Sequence, residues 1–417
     1  MKKVLKVFSA FAVVGVTAVG LASCGGSAKN YAAKNTKFKI GVSGPLTGDA
    51  AVYGLGVKNS AQLAVDEINA NGGVNGVQLE LVAKDDECLA DKAATNYTSL
   101  YEEGMQFSLG GVTSGACLEF ASYANKDKVF CLTPSATNDD VPKTGDNVYQ
   151  MCFSDSGQGS AAAAYISENY PDAKVGVFYD SSDAYSKGIY DNFKKVVTNT
   201  TDAAFTKDTN TSFTSQIQTL KNCDFIFMPI YYSQAALFIE QAKDTFGKNV
   251  VYFGCDGLDG IDSVEGFNPN SYPQEISYLS HFNAASEDEA VVSFVTKYTA
   301  AYGKDTLNQF GASAYDCVYA MVGALKAAAN KGTKVEVTMS PKEVYEVLKG
   351  EFQGGYSFSG VTGKNVTWDE GGTVNKTPGK FVVNPNRAKW TKLVVYKIWY
   401  ESLGFKAFIL SFYERRK

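Results

Sequence analysis

The sequence predicts an α/β protein with two doubly wound lobes, each a parallel sheet with helices on both faces. Three observations favour this class. The chain has 417 residues, which is long for one compact core and suits two lobes. From residue 38 onward, β-like and helical patterns alternate, which is typical of parallel sheets. The alternation restarts after residue 153, which indicates a second lobe of similar construction.

The first run alternates β-like segments with helical patterns. After the first strand, apolar residues from Val57 to Ile68 share one face and Gly72 follows as a C-cap, so a helix is predicted there. Further helices are predicted around residues 91–103 and 115–126. The predicted strands of this run are FKIGVSGP, VQLELVAKDDE, QFSLGGV and VFCLTPSAT.

The second run repeats this order. Its predicted helices are SAAAAYISENY, SKGIYDNFKKVV, SFTSQIQTLKN and SQAALFIEQAKDTF. Its predicted strands are AKVGVFYD, DFIFMPIY and NVVYFGCDG, and a last strand is expected at FVVNPN. Both lobes are therefore expected to carry strands that end in short loops on one edge.

Composition argues against several functions. The net charge is −5 and no basic patch precedes the extreme C-terminus, so nucleic-acid binding has little electrostatic support. Histidine occurs once, at His281, and neither G-x-S-x-G, H-E-x-x-H nor a Walker A sequence is present. Metal sites of His and Cys lack their spacing, since no C-x-x-C occurs. We therefore expect no enzyme, no metal and no cofactor.

The N-terminus predicts export. Three lysines lie within the first six residues, and residues 7–21 are uncharged and mostly apolar, which is typical of a signal peptide. The ending LASC resembles a bacterial lipobox. That resemblance implies removal of residues 1–23 and lipidation of Cys24, with residues 24–37 as a flexible tether. The expected location is the outer face of the cytoplasmic membrane; an ordinary signal peptide with a chance cysteine is the alternative.

Two strand-end turns are rich in hydroxyl groups. Ligands of open α/β sheets bind beyond the carboxyl ends of strands. In GGVTSGA, the Ser114 hydroxyl and free N–H groups at a helix start suit a carboxylate, although Ser114 is equally consistent with a plain N-cap. In TPSAT, Ser135 and Thr137 offer two more hydroxyls. Together the turns favour one shared anion site.

A free amino acid also carries an ammonium group, which needs an acceptor once water is excluded. Asp256 in FGCDGLDG is the candidate, with Tyr231 as a neighbour. The alternative for Asp256 is a turn aspartate bonded to its own backbone. Tyr53 and Tyr185 are candidate walls of the pocket, or else ordinary packing residues.

A long collinear stretch resembles a known family. IGVSGPLTGDAAVYGLGVKNSAQLAVDEINANGGVNG, followed by LELVAKDDEC, LTPSAT and the late segment TWDEGG, is similar to leucine/isoleucine/valine-binding proteins. These are type I periplasmic binding proteins, the substrate-binding components of ABC importers. The resemblance runs from about residue 38 to about residue 385.

The resemblance implies three crossovers between the lobes, near residues 155, 282 and 361–366. The expected first lobe then comprises residues 38–155 and 283–360, and the second comprises 156–282 and 361–389.

The resemblance also implies residue roles. Ser114, Ser135 and Thr137 match positions that bind the ligand's carboxylate and ammonium, and Tyr53, Tyr185 and Tyr231 match cleft tyrosines. Asp256 falls where the family has a glutamate that pairs with the ammonium. Since the side chain of aspartate is one methylene shorter than that of glutamate, either the ligand is expected to sit deeper in the cleft or a water molecule is expected to bridge its ammonium and Asp256.

The implied function is capture of a branched-chain or other hydrophobic amino acid and delivery to an ABC permease with its ATPase. A monomer is expected. A sensor for a membrane receptor and a binder of short-chain amides or urea remain alternatives. An exported hydrolase would have to use His281, which lies in a predicted crossover.

Seven cysteines follow Cys24, and an odd count leaves at least one unpaired. Cys88 and Cys117 each lie at a strand end, so these two could meet. The family's disulfide matches Cys88 but has Thr113 at the partner position, so Cys117, one helical turn on, is the implied replacement.

Residues 390–417 depart from the family pattern. All three arginines lie at or beyond residue 387, as do two of the three tryptophans. We expect a shifted or extended reading frame or, alternatively, an amphipathic extension that contacts the membrane.

Overall fold

The computed structural model describes residues 29–384 of the chain. Within that range the first sheet has five strands in the order β2-β1-β3-β4-β5, all parallel. Every residue of β1 except Lys39 is buried, as expected for a parallel strand covered on both faces. The strands are β1 Phe38–Gly44, β2 Leu79–Asp85, β3 Phe107–Gly111, β4 Phe130–Thr133 and β5 Val148–Gln150.

Helices cover both faces of this sheet. One pair, α2 and α3, packs together, while α1 and α10 pack against the long helix α9. The helices of this lobe are α1 Ala51–Ala70, α2 Ala90–Glu102, α3 Ser114–Asp127, α8 Glu289–Tyr302, α9 Gln309–Asn330 and α10 Pro341–Gln353.

Helix α1 begins six residues earlier than Val57, the start expected from periodicity. Gly54 and Gly56, which read as loop residues in the sequence, lie inside the helix. A Cβ atom added to Gly54 would stand 2.0 Å from the carbonyl oxygen of Pro45, and one at Gly56 would stand 2.6 Å from Nδ2 of Asn308. The glycines therefore permit close packing rather than end the helix.

Among the described residues, the second sheet has six strands in the order β11-β10-β9-β8-β6-β7. All neighbours are parallel except β10 and β11, which are antiparallel. The strands are β6 Val175–Asp180, β7 Thr201–Phe205, β8 Phe225–Met228, β9 Val251–Gly254, β10 Glu275–Ser280 and β11 Gly379–Val382. The helices are α4 Asp155–Asn169, α5 Ala184–Lys194, α6 Thr214–Leu220 and α7 Tyr232–Ala242.

In each sheet, the order in which successive strands are added changes direction once. In the first sheet, β2 is added on one side of β1 and β3 on the other; in the second, β7 and β8 flank β6 in the same way. Loops that leave the two central neighbours of such a switch point diverge and form a crevice. The loops after β1, β3, β6 and β8 therefore border the binding edge.

The chain crosses between the sheets three times within the described range. The first passage lies between β5 and α4, and the second between β10 and α8. The prediction for the third, at residues 361–366, is wrong. Trp368 Nε1 donates to the carbonyl of Gln150 at 2.7 Å, and the N–H of Gln150 donates to the carbonyl of Gly372 at 2.9 Å, so this segment still lines the first sheet. The return follows Val374 and reaches the second sheet at β11.

The tether prediction covers residues 24–37, and part of it is packed. Residues Tyr31–Lys34 form a 3-10 turn in which Ala32 is fully buried, and Asn35 Nδ2 donates to the Gly104 carbonyl at 2.8 Å. Residues 29–37 are thus held against the first lobe. The predicted signal peptide 1–23, Cys24 and the extension 390–417 lie outside the described residues.

Among residues 29–384, no helix has both the length and the apolar content needed to cross a membrane.

Candidate functional site

Three hydroxyl groups of the first lobe lie in the loops after β3 and β4. Ser114 is the first residue of α3, and its Oγ accepts from the N–H of Asn138 at 3.3 Å; the N-cap is Thr113. Ser135 Oγ donates to the carbonyl of Val112 at 2.7 Å, which ties the two loops together. Thr137 is fully buried and its Oγ1 lacks a well-aligned hydrogen-bond partner in the described chain. The two turns predicted as one anion site are therefore adjacent.

On the second lobe, Asp256 opens a 3-10 turn directly after β9. Its Oδ1 accepts from the Tyr185 hydroxyl at 2.8 Å, and its main-chain N–H donates to Gln158 Oε1 at 3.0 Å. Its Oδ2 is buried and has no partner among the described residues. Burial raises the pKa of Asp256 to about 7, against the opposing effect of the Tyr185 and Gln158 hydrogen bonds. This is the environment of a carboxyl that gains a charge when a cation arrives.

Three tyrosines surround this carboxyl. The rings of Tyr185 and Tyr231 stack with centroids 5.1 Å apart, and Tyr53 meets Tyr231 edge-on at 5.7 Å. Tyr53 comes from α1 of the first lobe, yet its hydroxyl donates to the carbonyl of Gly257 and accepts from the N–H of Tyr232 at 3.3 Å. The predicted residues Tyr53, Tyr185, Tyr231 and Asp256 thus lie together at the junction of the lobes.

Asp155 and Gln158 also belong to this group, and sequence reasoning missed them. Asp155 begins α4 and is fully buried; its Oδ2 accepts from Asn138 Nδ2 at 3.3 Å, while its N–H donates to the Thr137 carbonyl at 2.8 Å. Burial raises its pKa well above the usual value, and the nearby Asp256 adds to the rise. The available signal was an acid and an amide one helical turn apart, directly after the first crossover.

A cavity of about 620 Å³ opens beside this group, where it is bordered by Gly115 at the start of α3 and by Tyr231. Six charged groups line it: Asp49, Glu87, Asp91, Asp180, Asp183 and Lys207. Five of these are acids, so the walls disfavour a ligand with an anionic side chain. Of the seven predicted binding residues, Tyr231 alone borders this cavity; Asp256, Tyr53, Tyr185 and the three hydroxyl residues lie outside its lining.

The predicted disulfide between Cys88 and Cys117 is wrong, because both are free thiols. Cys88 Sγ donates to Thr113 Oγ1 at 3.4 Å, so threonine occupies the place of the family's second cysteine. Cys117 lies one turn later on α3 and faces the sheet, where an added Cβ on Gly110 would stand 3.4 Å from its Sγ and 2.6 Å from that of Cys131. The helix turns Cys117 inward, away from Cys88.

His281 lies apart from this group. Its Nε2 is 2.6 Å from Ser313 Oγ, its ring meets Phe153 edge-on at 5.2 Å, and burial lowers its pKa well below the usual value. The histidine therefore packs the second crossover against α9. This arrangement gives no support to a hydrolase.

The chain matches the periplasmic binding protein family over residues 37–380. The Leu/Ile/Val-binding protein BraC3 of Rhizobium johnstonii is 34% identical over 232 residues, which are 54% of this chain and 62% of that protein. This chain therefore spans less than two thirds of that relative. The leucine-, isoleucine-, valine-, threonine- and alanine-binding protein of Pseudomonas aeruginosa is 27% identical over 322 residues, 72% of this chain and 82% of its own length.

Two solved structures share the fold. The branched-chain amino acid transporter substrate binding protein LivJ from Streptococcus pneumoniae, in complex with isoleucine, has a TM-score of 0.75 and 30% identity, and the match covers 86% of this chain and 99% of that one. The leucine binding protein LivK from Thermotoga maritima has a TM-score of 0.72 and 25% identity, with 85% and 97% covered.

Proposed function

Because this chain belongs to the periplasmic binding protein family, in its type I leucine/isoleucine/valine-binding form, we propose that it is an extracytoplasmic receptor that holds an amino acid between its lobes. One observation carries the proposal. Asp256 Oδ2 is buried at the junction of the lobes and lacks a well-aligned hydrogen-bond partner among the described residues, while the hydroxyls of Ser114, Ser135 and Thr137 lie in two adjacent turns of the first lobe. The ammonium of a zwitterion complements the acid, and its carboxylate complements the hydroxyl donors.

In this proposal the ligand's carboxylate binds the start of α3 and the hydroxyls of Ser114, Ser135 and Thr137. Free N–H groups at a helix N-terminus carry about half a positive charge, which suits an anion. The ammonium binds Asp256, with Tyr185 holding the carboxyl in place through its 2.8 Å hydrogen bond. Tyr53 and Tyr231 shield the bound molecule from water.

A branched-chain or other hydrophobic amino acid is the proposed ligand, and support comes from the relatives, among them LivJ in complex with isoleucine. Each CH₂ group contributes about 0.8 kcal/mol on burial, so leucine, isoleucine and valine should be separated only weakly. We propose delivery to an ABC permease with its ATPase, from a protein anchored by a lipid on Cys24. Ligand binding favours the closed arrangement because both lobes then contribute contacts.

A short-chain amide or urea is a second candidate ligand. The raised pKa of Asp256, about 7, favours a neutral carboxyl that can donate a hydrogen bond to an uncharged carbonyl. An amide ligand needs no ionised acid, whereas an amino acid does.

Isothermal titration calorimetry of the mature protein against amino acids and small amides tests the proposal. We expect micromolar binding, roughly −8 kcal/mol, of at least one hydrophobic amino acid. Ser114→Ala should weaken it about tenfold by removing one hydrogen bond, while Ser99→Ala, whose hydroxyl bonds only Glu103 on the surface, should not. Binding of amides but of no amino acid would contradict the zwitterion site.

A further inference from the structure

One partly buried lysine, Lys376, lies in the third crossover and interacts with residues of the other two. It lies just before β11, and its Nζ donates to Thr362 Oγ1 at 2.6 Å. The ammonium also interacts electrostatically with Cys152 of the first crossover and with His281 of the second. Lys376 is therefore bonded to Thr362 and interacts electrostatically with one residue in each of the other two crossovers.

The anionic partner of this lysine is on the first lobe. Asp316 on α9 is 1% exposed and accepts from the N–H of Val361 at 2.9 Å, the N–H of Thr362 at 2.8 Å and Thr362 Oγ1 at 2.5 Å. The approach is possible only because residue 360 is glycine, where an added Cβ would stand 2.1 Å from Oδ1 of Asp316. The Thr362 hydroxyl thus donates to the acid and accepts from the lysine.

The same part of α9 holds the second crossover. Ser313, one turn before Asp316, contacts His281 Nε2 at 2.6 Å, and the N–H of His281 donates to Gln309 Oε1 at 3.2 Å. Residues 309–317 of α9 are therefore the part of the first lobe that contacts the second crossover and the segment leading to the third.

The charged and titratable groups around the lysine are Asp316 and Cys317 on α9, Cys152 and His281. Burial lowers the pKa of Lys376 to about 8, although the neighbouring acid and thiols oppose the change. Burial raises the pKa of Asp316. Burial thus disfavours the charged form of both partners, so small rearrangements alter how well they pair.

We propose that Lys376, bonded through Thr362 to Asp316, is a hinge latch that sets the balance between the open and closed arrangements of the lobes without touching the ligand. The inference rests on the proposed capture of a ligand between the lobes. The lobes are closed on each other in this structure: Asn138 Nδ2 of the first lobe donates to the Ala184 carbonyl of the second at 2.8 Å, and the N–H of Tyr232 donates to the Tyr53 hydroxyl at 3.3 Å. The bonds of Lys376 and Asp316 to Thr362 are therefore formed in the closed arrangement. The apparent affinity for the ligand is proportional to the fraction of molecules that are closed, so a variant with fewer closed molecules binds more weakly.

The test compares Lys376→Met with Lys364→Met, which removes an exposed lysine paired with Asp288 at 3.1 Å. By calorimetry, Lys376→Met should weaken binding about three- to thirtyfold, by the same factor for every ligand. Small-angle X-ray scattering of the ligand-free protein should give a larger radius of gyration. Lys364→Met should change affinity by less than twofold. An unchanged affinity, or a factor that differs between ligands, overturns the proposal.

Two further variants keep the test decisive. Thr362→Val removes the relay hydroxyl and should act in the same direction if Lys376→Met does not fold. Raising the pH from 7 to 9.5 should discharge Lys376 and enlarge the wild-type protein, but not Lys376→Arg, whose guanidinium stays charged. A wild-type radius that is constant over this range contradicts the latch. Scattering is measured on the ligand-free protein, so it tests the latch even if no amino acid binds. If only the proposed function fails, calorimetry shows no binding while the radius of gyration still changes as predicted; if only the latch fails, binding remains and the radius does not change.

Discussion

The Tyr185 hydroxyl lies 2.8 Å from Asp256 Oδ1, to which it donates, and also accepts from the N–H of Gly257 at 2.8 Å. One phenol therefore fixes both the carboxyl group and the turn that carries it. The second carboxyl oxygen is left free of protein partners among residues 29–384. Oriented in this way, the acid can meet a cation without rearrangement, which reduces the cost of binding.

Asp256→Asn should abolish binding yet stabilise the ligand-free protein. The pKa of Asp256 is raised, so the folded protein keeps this proton up to about pH 7 while the unfolded chain loses it near pH 4. Stability is therefore lost as the pH rises through this window, and at pH 8 the ionised acid costs about 1–4 kcal/mol. Urea unfolding should show a gain of this order at pH 8 and none at pH 4. Asp262→Asn, an exposed neighbour, is the control; a destabilised Asp256→Asn at pH 8 would contradict the assignment.

Affinity for an amino acid should fall as the pH decreases from 8 to 5. The ligand's ammonium needs the ionised carboxylate, and below about pH 7 the ligand-free protein holds Asp256 in the neutral form. The dissociation constant should rise by up to about tenfold per pH unit. Calorimetry at pH 6 in buffers of different ionisation enthalpy should detect proton release. Proton uptake, or affinity independent of pH, would show that the acid does not meet a cation.

Gly54→Ala should destabilise the protein by about 1–3 kcal/mol, because its Cβ would overlap the Pro45 carbonyl, 2.0 Å away. Gly350→Ala is the matched control in the helix α10, where an added Cβ meets nothing within 4 Å. Removing that glycine should stabilise the protein by about 0.5–1 kcal/mol. The free energies of unfolding of the two variants should therefore change in opposite directions.

All seven cysteines of the described chain should react with a thiol reagent after denaturation without reductant, since each is free. Mass spectrometry of the alkylated protein counts them. Cys88→Ser should leave the free energy of unfolding nearly unchanged, whereas loss of a disulfide typically costs about 2–5 kcal/mol. Five labelled thiols in the wild-type protein together with six in Cys88→Ser would restore the pairing of Cys88.

The alternation of patterns was sufficient for the fold class, yet it missed β7 and β10. Strand β7, Thr201–Phe205, lies at the edge of its sheet and buries only Ala203 and Phe205, so it carries almost no apolar signal. Most central strands could be predicted because both of their faces are covered and their residues are apolar; β10, which is also interior, was taken for part of a crossover. Edge strands and glycine-containing helix starts depend on tertiary neighbours, which a single sequence does not display.

The residues of the candidate site likewise divide into those that a sequence can indicate and those that depend on tertiary contacts. Tyr53, Ser114, Asp256 and their partners could be proposed from strand-end position and from family resemblance. Asp155 could not, because its burial against Asn138 depends on how the first crossover folds back on the β4 loop. The third crossover was misjudged for a related reason, since the indole of Trp368 finds its acceptor on β5, 218 residues away.

The two ends of the described chain rest on different lobes. Tyr31 packs edge-on against Tyr101 of the first lobe, while Asn384 donates to the carbonyl of Pro269 in the second. A donor fluorophore near residue 31 and an acceptor near residue 384 would therefore change separation whenever the halves rotate. The protein is in this respect a scaffold for an optical sensor of whatever it binds, with one dye on each lobe.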